Sequence, residues 1–196
     1  MYETFNDYNR FTHIPNFSMN IINYLIDNNE TIWKLLKYET NDALSKPNLT
    51  TDEKTNLIYS GMSKVDNPED YKDAEKGYRV FTKGMSTDAI VEACSQLHIY
   101  VGNVIPRDHI VSNIDMYIQI ISHNGILVLD NYQNRNEVML QQILSTLNGA
   151  EIQGITNLSF DKGNNVRWFK FSEKWYEGYR LIMSCKTTSS SSQAGE

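Results

Sequence analysis

Between Ile110 and Ser122 the chain alternates strictly. Ile110, Ser112, Ile114, Met116, Ile118 and Ile120 share one face, and Asn113, Asp115, Tyr117 and Gln119 share the other. A period of two over so many residues fits no helix. It requires a long strand with one face on a core and the other on water or a partner. Whatever else the chain builds must therefore supply an apolar layer for one side of a sheet.

The neighbouring segments extend that sheet. Leu97, Ile99 and Val101 alternate with His98, Tyr100 and Gly102, and Pro106-Arg107-Asp108 ends this run with a turn. A short apolar run, Ile126 to Leu129, follows His123-Asn124-Gly125. The next segment is helical: Asn134 or Asn136 caps it, Met139, Ile143 and Leu147 form a stripe flanked by Leu140 and Leu144, and Asn148-Gly149 ends it. Ile155 to Phe160 reads as a strand joined through the turn Asp161 to Asn165 to a second strand, Val166 to Phe171. A loop carrying Trp175 then leads into a last strand, Tyr179 to Cys185.

The part before residue 94 reads as helical. Pro15 and Ser18 precede Ile21, Ile22, Leu25 and Ile26 at helical spacing, with Ser18 placed to cap. Asn28-Asn29 interrupts that pattern, and Ile32, Trp33, Leu35 and Leu36 resume it, giving one kinked helix or two short ones. Thr50 and Glu53 form a capping box ahead of Leu57, Ile58 and Gly61. Residues 63–76 read as an exposed loop or arm, and a further short helix is expected from Ser86 to Cys94. The reading is an α+β fold: a mainly helical region over 1–93 with a loop or arm, a mixed or antiparallel sheet of about four to five strands with one packed helix over 94–187, and a disordered tail over 188–196.

At 196 residues with 40% hydrophobic content, the chain can bury a core without a disulfide or metal. Cys94 and Cys185 are accordingly expected as reduced, half-buried thiols. The start of the chain carries no cationic and apolar export signal, and no apolar run is long enough to span a membrane. The net charge of −6 opposes tight duplex binding, because the basic residues are scattered among acidic ones.

A survey for chemistry yields little. His109, His123 and Asp108 lack the spacing that aims imidazoles at one metal, and His98 is expected to be exposed or at an edge. No nucleophile elbow or phosphate-binding loop occurs, and nothing calls for a cofactor. Asp115 and Asp130 are the carboxylates best placed to form a pair, but the sequence sets no distance between them. The aromatic excess is the positive signal: Trp168, Phe169, Phe171, Trp175, Tyr176 and Tyr179 fall close together among basic residues. Alternate members of that set are expected in the core. Trp175 and Tyr176, in the expected loop, are the best docking candidates, joined by Tyr117 and Ile121, which break the polarity of the long strand's outer side.

The succession of elements over Leu97 to Ile105, Ile110 to Ser122, Asn134 to Asn148 and Ile155 to Cys185 resembles the tail-terminator, or tail-completion, proteins of long-tailed bacteriophages. The resemblance implies a small α/β subunit whose copies form a ring at the neck, assembled in the host cytoplasm and incorporated in the virion. It implies other neck, connector and tail-tube proteins as partners, with DNA passing through without sequence-specific binding. The helical N-terminal half is longer than such proteins usually carry, which leaves a tail terminator and a head–tail connector both open. From the residues alone, a different class also stands: a small metal-dependent hydrolase or nuclease using Asp115, His109, His123 or Asp130. A third is a non-enzymatic binding module working through Trp168 to Tyr179.

Overall fold

The structure is a computed structural model and describes residues 14–61, 75–85, 93–106, 112–153, 155, 157–160, 165–171 and 175–187. The disordered tail expected over 188–196, His109, and most of the expected arm and of the Ser86 to Cys94 helix lie outside the described residues.

Five strands form one sheet: β1 (Val80–Phe81), β2 (Ser95–Pro106), β3 (Ser112–His123), β4 (Val166–Phe171) and β5 (Tyr176–Thr187). Their spatial order is β1-β2-β3-β5-β4. Only the β1–β2 pair is parallel. The long alternating segment is thus β3, at the centre, flanked over nearly its whole length by β2 and β5. Its inner residues Ile114, Met116, Ile118 and Ile120 are completely buried, as the alternation requires.

Helices cover that inner face. α1 (Ile14–Asn28) and α2 (Glu30–Lys37) pack on β2, and α4 (Arg135–Leu147) packs on β3 and β5 and against α2. A short helix α3 (Thr51–Thr55) carries the expected capping box between Thr50 and Glu53. Phe17, Leu25, Trp33, Leu97, Ile118, Ile143 and Leu181 all belong to one hydrophobic core, so the N-terminal helices and the sheet stabilise each other.

The break at Asn28-Asn29 gives two helices rather than one bent one. Asn29 caps α2 by accepting from the Ile32 N–H at 3.0 Å, and its amide nitrogen donates to Thr146 Oγ1 at 2.7 Å and Gln142 Oε1 at 3.1 Å on α4. Trp33 Nε1 donates to the Leu25 carbonyl at 3.0 Å, tying α2 back to α1. Buried Lys54 reaches the Ile26 carbonyl at 2.9 Å and Glu30 at 2.8 Å, which fixes α3 at the same corner.

Several local expectations give way to tertiary context. Ser18 does not cap α1; the helix already starts at Ile14, and Ser18 is buried within it. The part before residue 94 is mainly helical, as expected, and adds one short strand, Val80 and Phe81, parallel to Leu97 and His98. Within the expected strand Ile155 to Phe160, only single bridges form, Ile152 with Ile155 and Ser159 with Ser184. Among the described residues it does not pair with Val166 to Phe171; Ser159 instead bridges Ser184, on the same edge of β5 that β4 takes from Leu181 to Tyr176. The last strand also begins earlier than its alternation suggests, at Tyr176.

Candidate interaction surface

The outer face of the sheet carries no helix among the described residues, yet it is only partly open. Phe81 of β1 and the residues just after it, Lys83 and Met85, cover its β2 side. Phe81 stacks on His98 at 4.8 Å between ring centroids, His98 Nδ1 pairs with the Lys83 carbonyl at 3.1 Å, and Met85 N–H approaches Gln119 Oε1 at 3.5 Å. His98 is therefore buried, against the expectation of an exposed ring, although it occupies the face the alternation assigns. Burial disfavours its charged form and lowers its pKa to about 4.

Ile121 and Tyr176 need the same correction. Both are buried, with Cys94, in a second small core on this outer face, with Met85, Phe169 and Phe171 packed around it. The chain's own residues consume them, so neither offers a free surface. Gly178 lies in the same row, opposite Ile121 and Phe169, and approaches β3 so closely that a Cβ there would stand 1.8 Å from the Ile120 carbonyl oxygen. Tyr117 is half-buried: its ring lies against Gly102 at the β2 irregularity and edge-on to Tyr100 at 5.6 Å, and its hydroxyl accepts from Asn103 at 3.2 Å.

Trp175 is exposed, as its sequence position suggests, and its backbone is unusual. The non-glycine residues with positive φ among those described are Trp175 (59°) and Tyr132 (64°). Bulky side chains rarely take this left-handed conformation, which costs on the order of 1 kcal/mol or more. Both rings are largely exposed, Tyr132 at 92% and Trp175 at 67%, so core packing does not repay that strain. Both also belong to the same end of the sheet. Trp175 directly precedes β5 and accepts the Asn124 N–H at 2.7 Å on its carbonyl, and Tyr132 lies in the loop that follows β3. Exposed Val128 is in the same loop. The sequence reading missed Tyr132; the available signal was an aromatic set alone in the polar run Asp130 to Asn134.

That loop is anchored firmly. Arg135, completely buried at the start of α4, donates to the carbonyls of Ile126 (2.8 Å), Leu35 (2.8 Å), Tyr38 (2.8 Å) and Thr40 (2.6 Å). Burial lowers its pKa to about 10, and it stays protonated at neutral pH. Next to it, buried Asn136 accepts from Ser122 Oγ at 2.6 Å and donates to the Glu177 carbonyl at 2.9 Å, joining α4, β3 and β5.

Of the residues weighed for hydrolytic chemistry, the three that are described, Asp115, His123 and Asp130, hold structural contacts. Asp115 accepts from Asn103 at 3.1 Å and from Ser184 Oγ at 3.0 Å. His123 Nδ1 accepts the Gly125 N–H at 3.1 Å, and exposed Asp130 donates its N–H to the Asn41 carbonyl at 3.0 Å. Among the described residues no group of three or more His, Cys, Asp or Glu is placed to hold a metal ion. Both cysteines are buried and neither forms a disulfide, and burial raises the Cys185 thiol to about 12. No helix of the described residues is long and apolar enough to cross a membrane.

A sheet covered by helices on one face, with two exposed aromatics in left-handed backbone, defines an α+β protein. The chain belongs to the YomW family, whose model matches residues 29–185, and the family is phage-associated. No curated protein and no solved structure matches the chain.

Proposed function

We propose that this chain is a structural protein of the neck or tail end of a bacteriophage virion, a tail terminator or head–tail connector that works by ring oligomerisation and docking, without catalysis. The observation that carries the reading is the pair Tyr132 and Trp175, exposed aromatics held in left-handed backbone at one end of the sheet. Such strain persists where a role outside the fold retains it, and amphipathic aromatics are the residues that anchor protein interfaces. Phage association supplies the setting. In this reading that end docks on the next neck, connector or tail-tube component, and the acidic chain lets DNA pass without gripping phosphate.

Electron microscopy of the purified protein, alone and with its neck partners, tests the proposal. The expected result is a ring with a central hole, and Trp175→Ala should abolish docking while leaving the fold intact. A divalent-metal-dependent hydrolase or nuclease activity that is lost in Asp115→Asn would overturn it.

A further inference from the structure

The large apolar side chains that stand exposed among the described residues divide between two places. Val128, Tyr132 and Trp175 belong to the end described above, whereas Trp168 lies on β4 and Ile105 on β2. Those two strands also hold the open edges of the sheet. Among the described residues β4 pairs with β5 alone and β1 covers β2 only at Leu97 and His98, so that, among those residues, the outer edge of β2 from Ile99 to Pro106 has no strand beside it. An unpaired edge is a template for another strand.

We propose that copies of this chain join head to tail by pairing β4 of one with the Ile99–Pro106 segment of β2 of the next, continuing the sheet from subunit to subunit. The inference rests on the ring reading and names the contact that would build the ring. Strand direction allows it: β2 and β5 run one way and β3 and β4 the other, so repeating the subunit in the same orientation sets β4 antiparallel to the neighbour's β2. Length allows it too, because the six residues of β4 fit within the eight from Ile99 to Pro106, which a bulge interrupts between Val101 and Val104.

The side chains fit on both faces. Val166 packs on the main core, so Trp168 and Lys170 share the helix-covered face, and Arg167, Phe169 and Phe171 share the outer one. Half-buried Val101 and Val104 of β2 also pack on the main core, and with Phe169 opposite Ile105 the neighbouring copy's Trp168 would stand diagonal to Val104 on that face. Ile105, opposite Asn113, is on the outer face and would meet Phe169. A contact between two different edges is heterologous and generates a closed ring when its rotation closes.

The test places one cysteine on each edge, Arg167→Cys and Ile105→Cys, both exposed positions on the outer face, in the full chain treated with a short bifunctional maleimide. The double variant should yield a ladder of covalent multiples ending in one closed species. A mixture of the two single variants should yield mixed dimers in large excess over dimers of either alone. Trp168→Glu should shift the protein towards monomer in sedimentation with its unfolding midpoint unchanged. A ladder that stops at the dimer, or no cross-linking at any concentration, overturns the inference. Rings in the microscope without this cross-link overturn the edge contact and leave the ring reading standing. A ladder without rings does the reverse.

Discussion

Replacing Arg135 by Met keeps most of the apolar stem and removes the guanidinium that satisfies the carbonyls of Leu35, Tyr38, Thr40 and Ile126. A hydrogen bond from a charged donor contributes roughly 1.5 kcal/mol or more net, so losing this set costs about 6 kcal/mol. Met also escapes the desolvation that Arg135 suffers. The fall of its pKa from 12.5 to about 10 puts that relief at about 3 kcal/mol, at about 1.4 kcal/mol per unit. The net expectation is a loss of about 3 kcal/mol, a large share of the roughly 5–15 kcal/mol that holds a domain folded. In a chain of this size that lowers the melting temperature by about 6–12 °C. Equilibrium urea unfolding followed by tryptophan fluorescence suits the measurement, because Trp33 is fully buried on α2 beside the clamped carbonyls. Arg135→Lys should fall in between, since an ammonium lacks the planar fork that serves carbonyls in several directions. Buried charges can sometimes be exchanged for apolar groups at no loss. If Arg135→Met proves as stable as the wild type with an unchanged m-value, the carbonyls of α2 do not depend on Arg135 and the reasoning fails.

His98 predicts a pH dependence. Its folded pKa, about 4, lies below the unfolded value near 6.5, so the unfolded chain binds the proton first. Stability from this residue is intact above pH 6.5, declines by about 3 kcal/mol as pH falls to 4, and levels off below that; urea melts at pH 7, 5.5 and 4 should show the decline, and His98→Gln should flatten it. Gly178→Ala should destabilise by roughly 3 kcal/mol or more, because the new Cβ meets backbone that has nowhere to go; near-wild-type thermal stability would show that β3 and β5 can separate there. Asn29→Ala loses the α2 cap and two bonds to α4, about 2 kcal/mol together, while Asn29→Asp keeps the cap and loses the donors. Trp175→Gly relieves left-handed strain and should raise the unfolding free energy by about 1 kcal/mol; a decrease in a urea melt would mean that the ring supports the fold.

What the sequence could express was periodicity and punctuation. The alternation through β3, the Met139–Ile143–Leu147 stripe, the Asn28-Asn29 break and the Thr50 box each translate directly into the observed element. What it could not express was which distant segment covers a face. Ile121 obeys the period that places it on the outer side of β3, and only the tertiary fold brings Cys94, Met85 and Tyr176 over it. His98 is buried for the same reason, under residues adjacent to a strand of two residues, too short to carry any pattern. Ile155 to Phe160 has strand-like composition, but among the described residues it meets β5 in a single bridge at Ser184, on the edge that β4 takes from Leu181 to Tyr176. Trp175 was legible as an aromatic in a loop. Tyr132 acquires its meaning only from a backbone angle.

The sheet order has a consequence for synthesis. β3 lies between β2, made just before it, and β5, made after nearly everything else described. Until Tyr176 to Thr187 leaves the ribosome, one whole side of the central strand stays unpaired and the inner face under α4 lacks Leu181, Met183 and Cys185. A subunit still lacking β5 also lacks the strand that β4 pairs with among the described residues. The proposed joining edge would then form with the last step of folding, so that unfinished chains would be kept out of the assembly.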